Sequence, residues 1–116
     1  MNARGGMVPS ENETWLIEAG DDIIVKKSQQ GRDALTACER LLYCLWVADY
    51  SMRNAGDLRT AADLYPPFQE EGQRLAEELQ LPKTKAVFSL SVEGLKQAYF
   101  SAFDEMCREV QTCLGG

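Results

Sequence analysis

The 116-residue sequence contains no histidine. That absence removes the commonest general base, the imidazole metal ligand, and the Ser-His and Cys-His nucleophile systems. Positive charge is also short, with 12 Lys and Arg against 18 Asp and Glu, a net charge of −6. Affinity for DNA or RNA comes largely from basic side chains neutralising phosphates, so direct nucleic-acid binding is not expected. The longest apolar run, 41–48, is far below the roughly 20 residues of a membrane span, and no membrane partner is expected. A glycine-rich phosphate loop is missing too. Gly5-Gly6 and Gly115-Gly116 stand in the terminal segments, without a strand–loop–helix context. No stretch alternates apolar and polar residues for long, and there is no Asn-Gly or Asp-Gly hairpin signal.

What is present is ordinary for a globular domain: 45% hydrophobic and 26% charged residues. Gly5-Gly6 and Pro9 mark residues 1–9 as a loose N-terminal arm, leaving 10–114 as a single helical domain. The arm carries one Arg and no apolar run, unlike a signal peptide, and the cytoplasm is the default compartment.

Helical signals follow one another along the chain. Ser10 with Glu13 has the spacing of a capping box, ahead of Trp15, Leu16, Ala19, Ile23 and Ile24 at helical intervals. The run 21–25 also reads as a short strand; Gly31 would end the helix. Thr36 and Glu39 repeat the capping pattern before a second helix. Its apolar residues at 41–48 cover nearly the whole circumference, which marks a helix buried in the middle of a domain. Asn54-Ala55-Gly56 supplies its stop.

Asp57 heads a short helix to Leu64, Pro66-Pro67 breaks it, and Phe68, Gly72, Leu75, Ala76 and Leu79 form the stripe of the next. Beyond Pro82, 83–90 reads as a turn or short helix. Ser91 caps a final long helix with Leu95, Tyr99, Ala102, Met106, Val110 and Cys113 in its stripe, flanked by Phe100, Phe103 and Cys107. The expected architecture is all-α, a compact bundle of about four to five helices with the second and last at its centre.

The four cysteines, Cys38, Cys44, Cys107 and Cys113, lack redox-motif and zinc-ligand spacing. They read first as small buried apolar side chains in a reducing compartment; a disulfide or a metal between the two helices is the alternative. Acids and His facing inward, the usual metal set of a helical bundle, are missing, and neither a metal site nor a cofactor is expected. Glu18 with Asp21 is the nearest acidic pair, and it falls on a polar helix side.

Two groups of residues stand out as binding candidates. Glu70, Glu71, Glu77 and Glu78 read as two acidic rows opposite the Phe68 stripe, with Arg74 between them. Such rows are either a solvated face or a recognition surface for a basic partner. Tyr43, Trp46, Asp49, Tyr50, Arg53 and Asn54 lie along the end of the second helix. Trp, Tyr and Arg are frequent in binding hot spots and equally in cores whose polar tips find partners.

Glu39, Tyr43, Leu45, Trp46, Asn54 and Gly56 also carry a resemblance. A Glu, an aromatic residue, a Leu–aromatic pair and a closing Asn-Gly-Gly are similar to a pattern in small acidic helical bacterial proteins of the DNA-mimic and toxin-immunity kind. The likeness covers about a fifth of the chain and departs at Ala55, where that pattern has glycine. It implies a non-enzymatic acidic binding protein. The expected function is therefore non-catalytic: an inhibitor or immunity-type partner of a basic, nucleic-acid-handling protein. The alternatives are a small-molecule binder or enzyme with a pocket around Trp46, Asp49 and Arg53, and a structural homo-oligomer such as a homodimer.

Overall fold

A computed structural model describes residues 11–115. They form six α-helices: α1 (Glu11–Gln30), α2 (Ala37–Ala55), α3 (Arg59–Leu64), α4 (Phe68–Glu78), α5 (Pro82–Phe88) and α6 (Val92–Gly115), with no strand among the described residues. A 3-10 turn, Arg32–Ala34, links α1 to α2. The fold is the expected all-α bundle; its sixth helix is α5, over the stretch that reads as a turn or short helix. The arm 1–9 and the Ser10 half of the first capping pair lie outside the described residues.

The run 21–25 is helical, not a strand. Leu16, Gly20 and Ile23 are the buried positions of α1, at helical spacing, while Val25 is exposed. Burial every third or fourth residue is what a helix lying on a core needs. Gly20 sits where Trp46 of α2 crosses, so close that a Cβ there would overlap the indole ring.

α2 begins at a complete capping box. Thr36 Oγ1 accepts from the Glu39 amide at 3.1 Å, and Glu39 Oε1 accepts from the Thr36 amide at 2.8 Å. Two donors left over at the helix start are thereby satisfied. Burial works against the charged Glu39 carboxylate, yet the Thr36 amide and the Lys26 ammonium, 2.9 Å away, hold it below the usual carboxylate range. Gly56 ends α2 in the left-handed conformation, φ 72°, donating to the Met52 carbonyl. Between these ends α2 packs against α1, α3, α4 and α6, which explains its circumferential apolar coverage.

The short helices are held by side chains from elsewhere. Ser51 of α2 is fully buried; its Oγ donates to the Asp57 carbonyl at 2.6 Å and accepts from the Ala61 amide at 3.1 Å, fastening α3. The start of α5 has Pro82 in its first turn and no local cap. Glu109 of α6 supplies one from outside, accepting from the Lys83 amide at 2.9 Å, the Thr84 amide at 2.8 Å and Thr84 Oγ1 at 2.7 Å. Ser91 caps α6 as its position suggested, its Oγ accepting from the Gly94 amide at 3.0 Å.

Cys38 and Cys113 form a disulfide between the start of α2 and the end of α6, with Cα atoms 6.2 Å apart. This corrects the reading of all four cysteines as free thiols. Pairs six apart in sequence do not meet; the bond spans 75 residues and depends on how the two helices lie together. Cys44 and Cys107 are buried thiols, as that reading had them.

Candidate functional site

α4 carries the acidic candidates, and the structure divides them. Glu70, Glu77 and Glu78 are exposed. Glu71 is 5% exposed and belongs to the interior, which corrects its placement on a solvated row. At about 100° per residue, Glu71 falls beside Phe68 and Leu75, on the flank of the buried stripe. Reading the wheel as two rows of glutamates concealed that position.

Glu71 is the centre of a polar cluster. The Tyr65 hydroxyl donates to its Oε1. Arg32 Nη2 lies 3.3 Å from Oε1, and Arg40 Nε lies 3.9 Å from Oε2. A buried carboxylate needs such company, because its desolvation is otherwise costly. Burial, followed by the hydrogen bond to Glu71, pushes the Tyr65 hydroxyl above the usual tyrosine range. Arg40 Nε is buried and has no hydrogen-bond partner among the described residues. Arg32, Pro67, Glu70, Glu71 and Arg74 line a cleft of about 330 Å³ beside the cluster.

The second candidate group is brought together along α2, with Asp49 buried, Tyr43 and Trp46 half-buried, and Tyr50, Arg53 and Asn54 exposed. Asp49 is 4% exposed, and its Oδ1 accepts from the fully buried Tyr99 hydroxyl at 2.7 Å and from Arg53 Nε at 3.0 Å. Burial pushes the Asp49 carboxyl above its ordinary value, against the opposing pull of Tyr99 and Arg53. Arg53 also pairs with Glu13 of α1 at 2.9 Å and lies over the Phe100 and Phe103 rings, 4.9 and 4.6 Å from their centroids. Thus Asp49 and Arg53 join α1, α2 and α6.

Tyr43, Trp46 and Tyr50 form a ribbon of successive rings, with centroids 6.3 and 5.5 Å apart, and Tyr65 meets Tyr43 edge-on. Trp46 rests on Gly20, and the Lys27 ammonium lies over Tyr43. Asn54 Nδ2 donates to the Tyr50 carbonyl at 2.7 Å. The Tyr43 and Trp46 rings thus find ring and cation partners within the fold, while Tyr50 stays 45% exposed. Four clefts of the surface, of about 280 to 420 Å³, are lined by other residues.

Glu18, Asp21 and Asp22 are exposed on α1. Among the described residues no group of three or more Cys, Asp or Glu is placed to hold a metal ion. No helix of the described residues is long and apolar enough to cross a membrane. Comparison with protein-family models, with curated proteins and with solved structures finds no match to this chain.

The fold and its surface together define an all-α bundle with an acidic external helix, an internally paired Asp49–Arg53 centre and a disulfide across its two longest-buried helices. Sequence reasoning missed Glu71, Glu109 and Tyr99 as polar anchors. The first had a signal in its wheel position; the other two act across the fold and had none.

Proposed function

We propose that this chain is a non-catalytic binding protein whose α4 face recognises a basic protein. The specific form of this reading is an inhibitor or immunity-type partner of a nucleic-acid-handling protein. The observation that carries it is the pair Glu70 and Glu77. Both are exposed, they stand seven residues apart, about 10 Å along the helix, and neither carboxylate has a hydrogen bond or ion pair among the described residues. Glu78 adds a third exposed carboxylate, shared with Arg74 at 3.1 Å. Free surface charge of this kind sets association rate and partner choice more than raw affinity.

The test is affinity capture from the source cell's lysate at low and high salt. The bait is the wild-type chain beside a variant with Glu70→Lys, Glu77→Lys and Glu78→Lys. Glu71 stays unchanged, because its reversal would disturb the interior. A basic protein retained by the wild type at low salt, released at high salt and lost by the variant supports the reading, since exposed charge contacts are screened. Equal retention by the variant removes the α4 face from the interaction, and no basic partner at low salt removes the reading altogether.

A further inference from the structure

The cysteines divide into two thiols inside the fold and one bond nearer its surface. Cys44 and Cys107 are fully buried, whereas Cys38 and Cys113 are each half-buried. Burial and the charge of Glu71 raise the Cys44 thiol, and burial with Asp49 pushes Cys107 up to about 12. Both thiols therefore stay protonated near neutral pH, and it is the thiolate that attacks a disulfide. A thiol that opens the Cys38–Cys113 bond comes from outside the chain.

The two sulfurs of that bond stand at opposite kinds of helix end. Cys38 is the second residue of α2, and Cys113 lies in the last turn of α6. The capping box of α2 takes up the Thr36 and Glu39 amides and leaves those of Ala37 and Cys38 outside it. Amides at the start of a helix, with its positive end, favour a thiolate at Cys38. The neighbouring Glu39 carboxylate is balanced by the Lys26 ammonium at 2.9 Å. At Cys113 the sign is reversed, because the carbonyls and negative end of α6 disfavour a thiolate. Thiol–disulfide exchange runs faster when the expelled sulfur makes the more stable thiolate. Attack is thus directed to Cys113, with Cys38 as the leaving group.

The end of α6 has room for an added group. Thr112, Leu114 and Gly115 are exposed, and a Cβ built at Gly115 would meet no neighbouring atom within 4 Å. Opening the bond leaves the rest of the helix held. Gln111 Nε2 donates to Asn12 Oδ1 at 3.1 Å, Glu109 caps the start of α5, and Tyr99 holds Asp49. All three contacts precede Cys113 in the chain, so the last turn alone loses its tie.

We infer that Cys113 is a modification site, where a small thiol of the glutathione type opens the Cys38–Cys113 bond and remains as a mixed disulfide. The incoming thiolate forms a bond to Cys113 Sγ. The Cys38–Cys113 bond breaks, and its electron pair leaves on Cys38 Sγ as a thiolate. This step is an exchange without net oxidation. Attack by a second glutathione thiolate on the glutathione sulfur of the adduct frees Cys113. Two glutathiones are then oxidised to their disulfide, and Cys38 with Cys113 is reduced. Return of the Cys38 thiolate to Cys113 Sγ instead expels the glutathione and closes the original bond.

The experiment uses the intact oxidised chain in native buffer with reduced glutathione. Samples are quenched with acid at intervals, alkylated and mapped by peptide mass spectrometry. Glutathione should sit on Cys113 and the alkyl group on Cys38, with helicity retained. Adduct mainly on Cys38, opening without an adduct on Cys113, or a bond that opens only in denaturant overturns the inference. The single variants Cys38→Ser and Cys113→Ser measure the asymmetry without the closing reaction. A stabilised thiolate holds its mixed disulfide less firmly. In one glutathione redox buffer at neutral pH, the ratio of glutathionylated to free thiol should therefore be about threefold or more higher at Cys113 than at Cys38. Equal or reversed ratios overturn the inference as well, since the direction of attack depends on that difference. If either variant fails to fold, the wild-type map decides.

Discussion

The Tyr99 hydroxyl donates to the Asp49 carboxylate at 2.7 Å across the buried contact of α6 with α2. Asp49 has Arg53 as its second partner, so the carboxylate is paired but short of solvent. Tyr99→Phe removes one donor and leaves an acceptor buried. It should lower unfolding free energy by about 1–3 kcal/mol, read from urea melts. A double variant with Asp49→Asn should cost less than the two single effects added, because both act on one hydrogen-bonded pair.

Glu70 and Glu71 are neighbours in sequence with opposite surroundings. Glu71→Lys puts a cation between Arg32 and Arg40 and should cost about 3 kcal/mol or more. Glu70→Lys, on the exposed side, should stay within about 0.5 kcal/mol of the wild type. Denaturant melts of the two variants check the contrast; equal stabilities would contradict the burial of Glu71.

The capping box at α2 has a pH signature. Glu39 has its folded carboxyl below the ordinary value of 4.5. A lowered folded pKa stabilises above the unfolded value and stops doing so as pH falls through the folded one. At pH 7, Glu39→Gln should therefore be less stable than the wild type by about 1 kcal/mol. The gap should shrink as pH drops below 4.5. Melts from neutral pH down into that range follow it directly.

The disulfide makes stability redox-dependent. Closing a loop that joins residues 75 apart restricts the unfolded chain, an effect of about 4 kcal/mol in the chain-entropy model. Reduction or Cys38→Ser should lower the melting temperature accordingly. Cys44 and Cys107 respond differently. Burial, with Asp49 and Asp104 adding to it, pushes the Cys107 thiol up to about 12, and burial raises Cys44 likewise. A thiol reagent at mild alkaline pH should therefore label neither in the native oxidised chain and both after unfolding. Trapping thiols in fresh cell extract adds the compartment: an intact bond points to an oxidising setting and a reduced one to the cytosol.

Gly72 of α4 lies against the fully buried Phe88, where a Cβ would overlap the ring. On an exposed helix, Gly→Ala gains about 1 kcal/mol from propensity. Here overpacking of about 1–3 kcal/mol opposes it, so Gly72→Ala should destabilise. A rise in melting temperature would show that α4 and α5 are more loosely packed than they are here.

Local rules were enough for most of the secondary structure. Thr36 with Glu39, Gly56, Pro82 and Ser91 each mark a helix boundary through chemistry within a few residues, and the apolar periodicity of α2, α4 and α6 reports faces that must leave water. All-α architecture follows from those signals alone. What the sequence could not decide lies between segments distant along the chain. Cys38 meets Cys113, Glu109 caps α5, Tyr99 finds Asp49 and Ser51 holds α3, because helix packing brings them within hydrogen-bonding or covalent reach. Side-chain spacing along one helix carries no information about which neighbour will cover it. The acidic row was legible as charge, but only packing took Glu71 out of it.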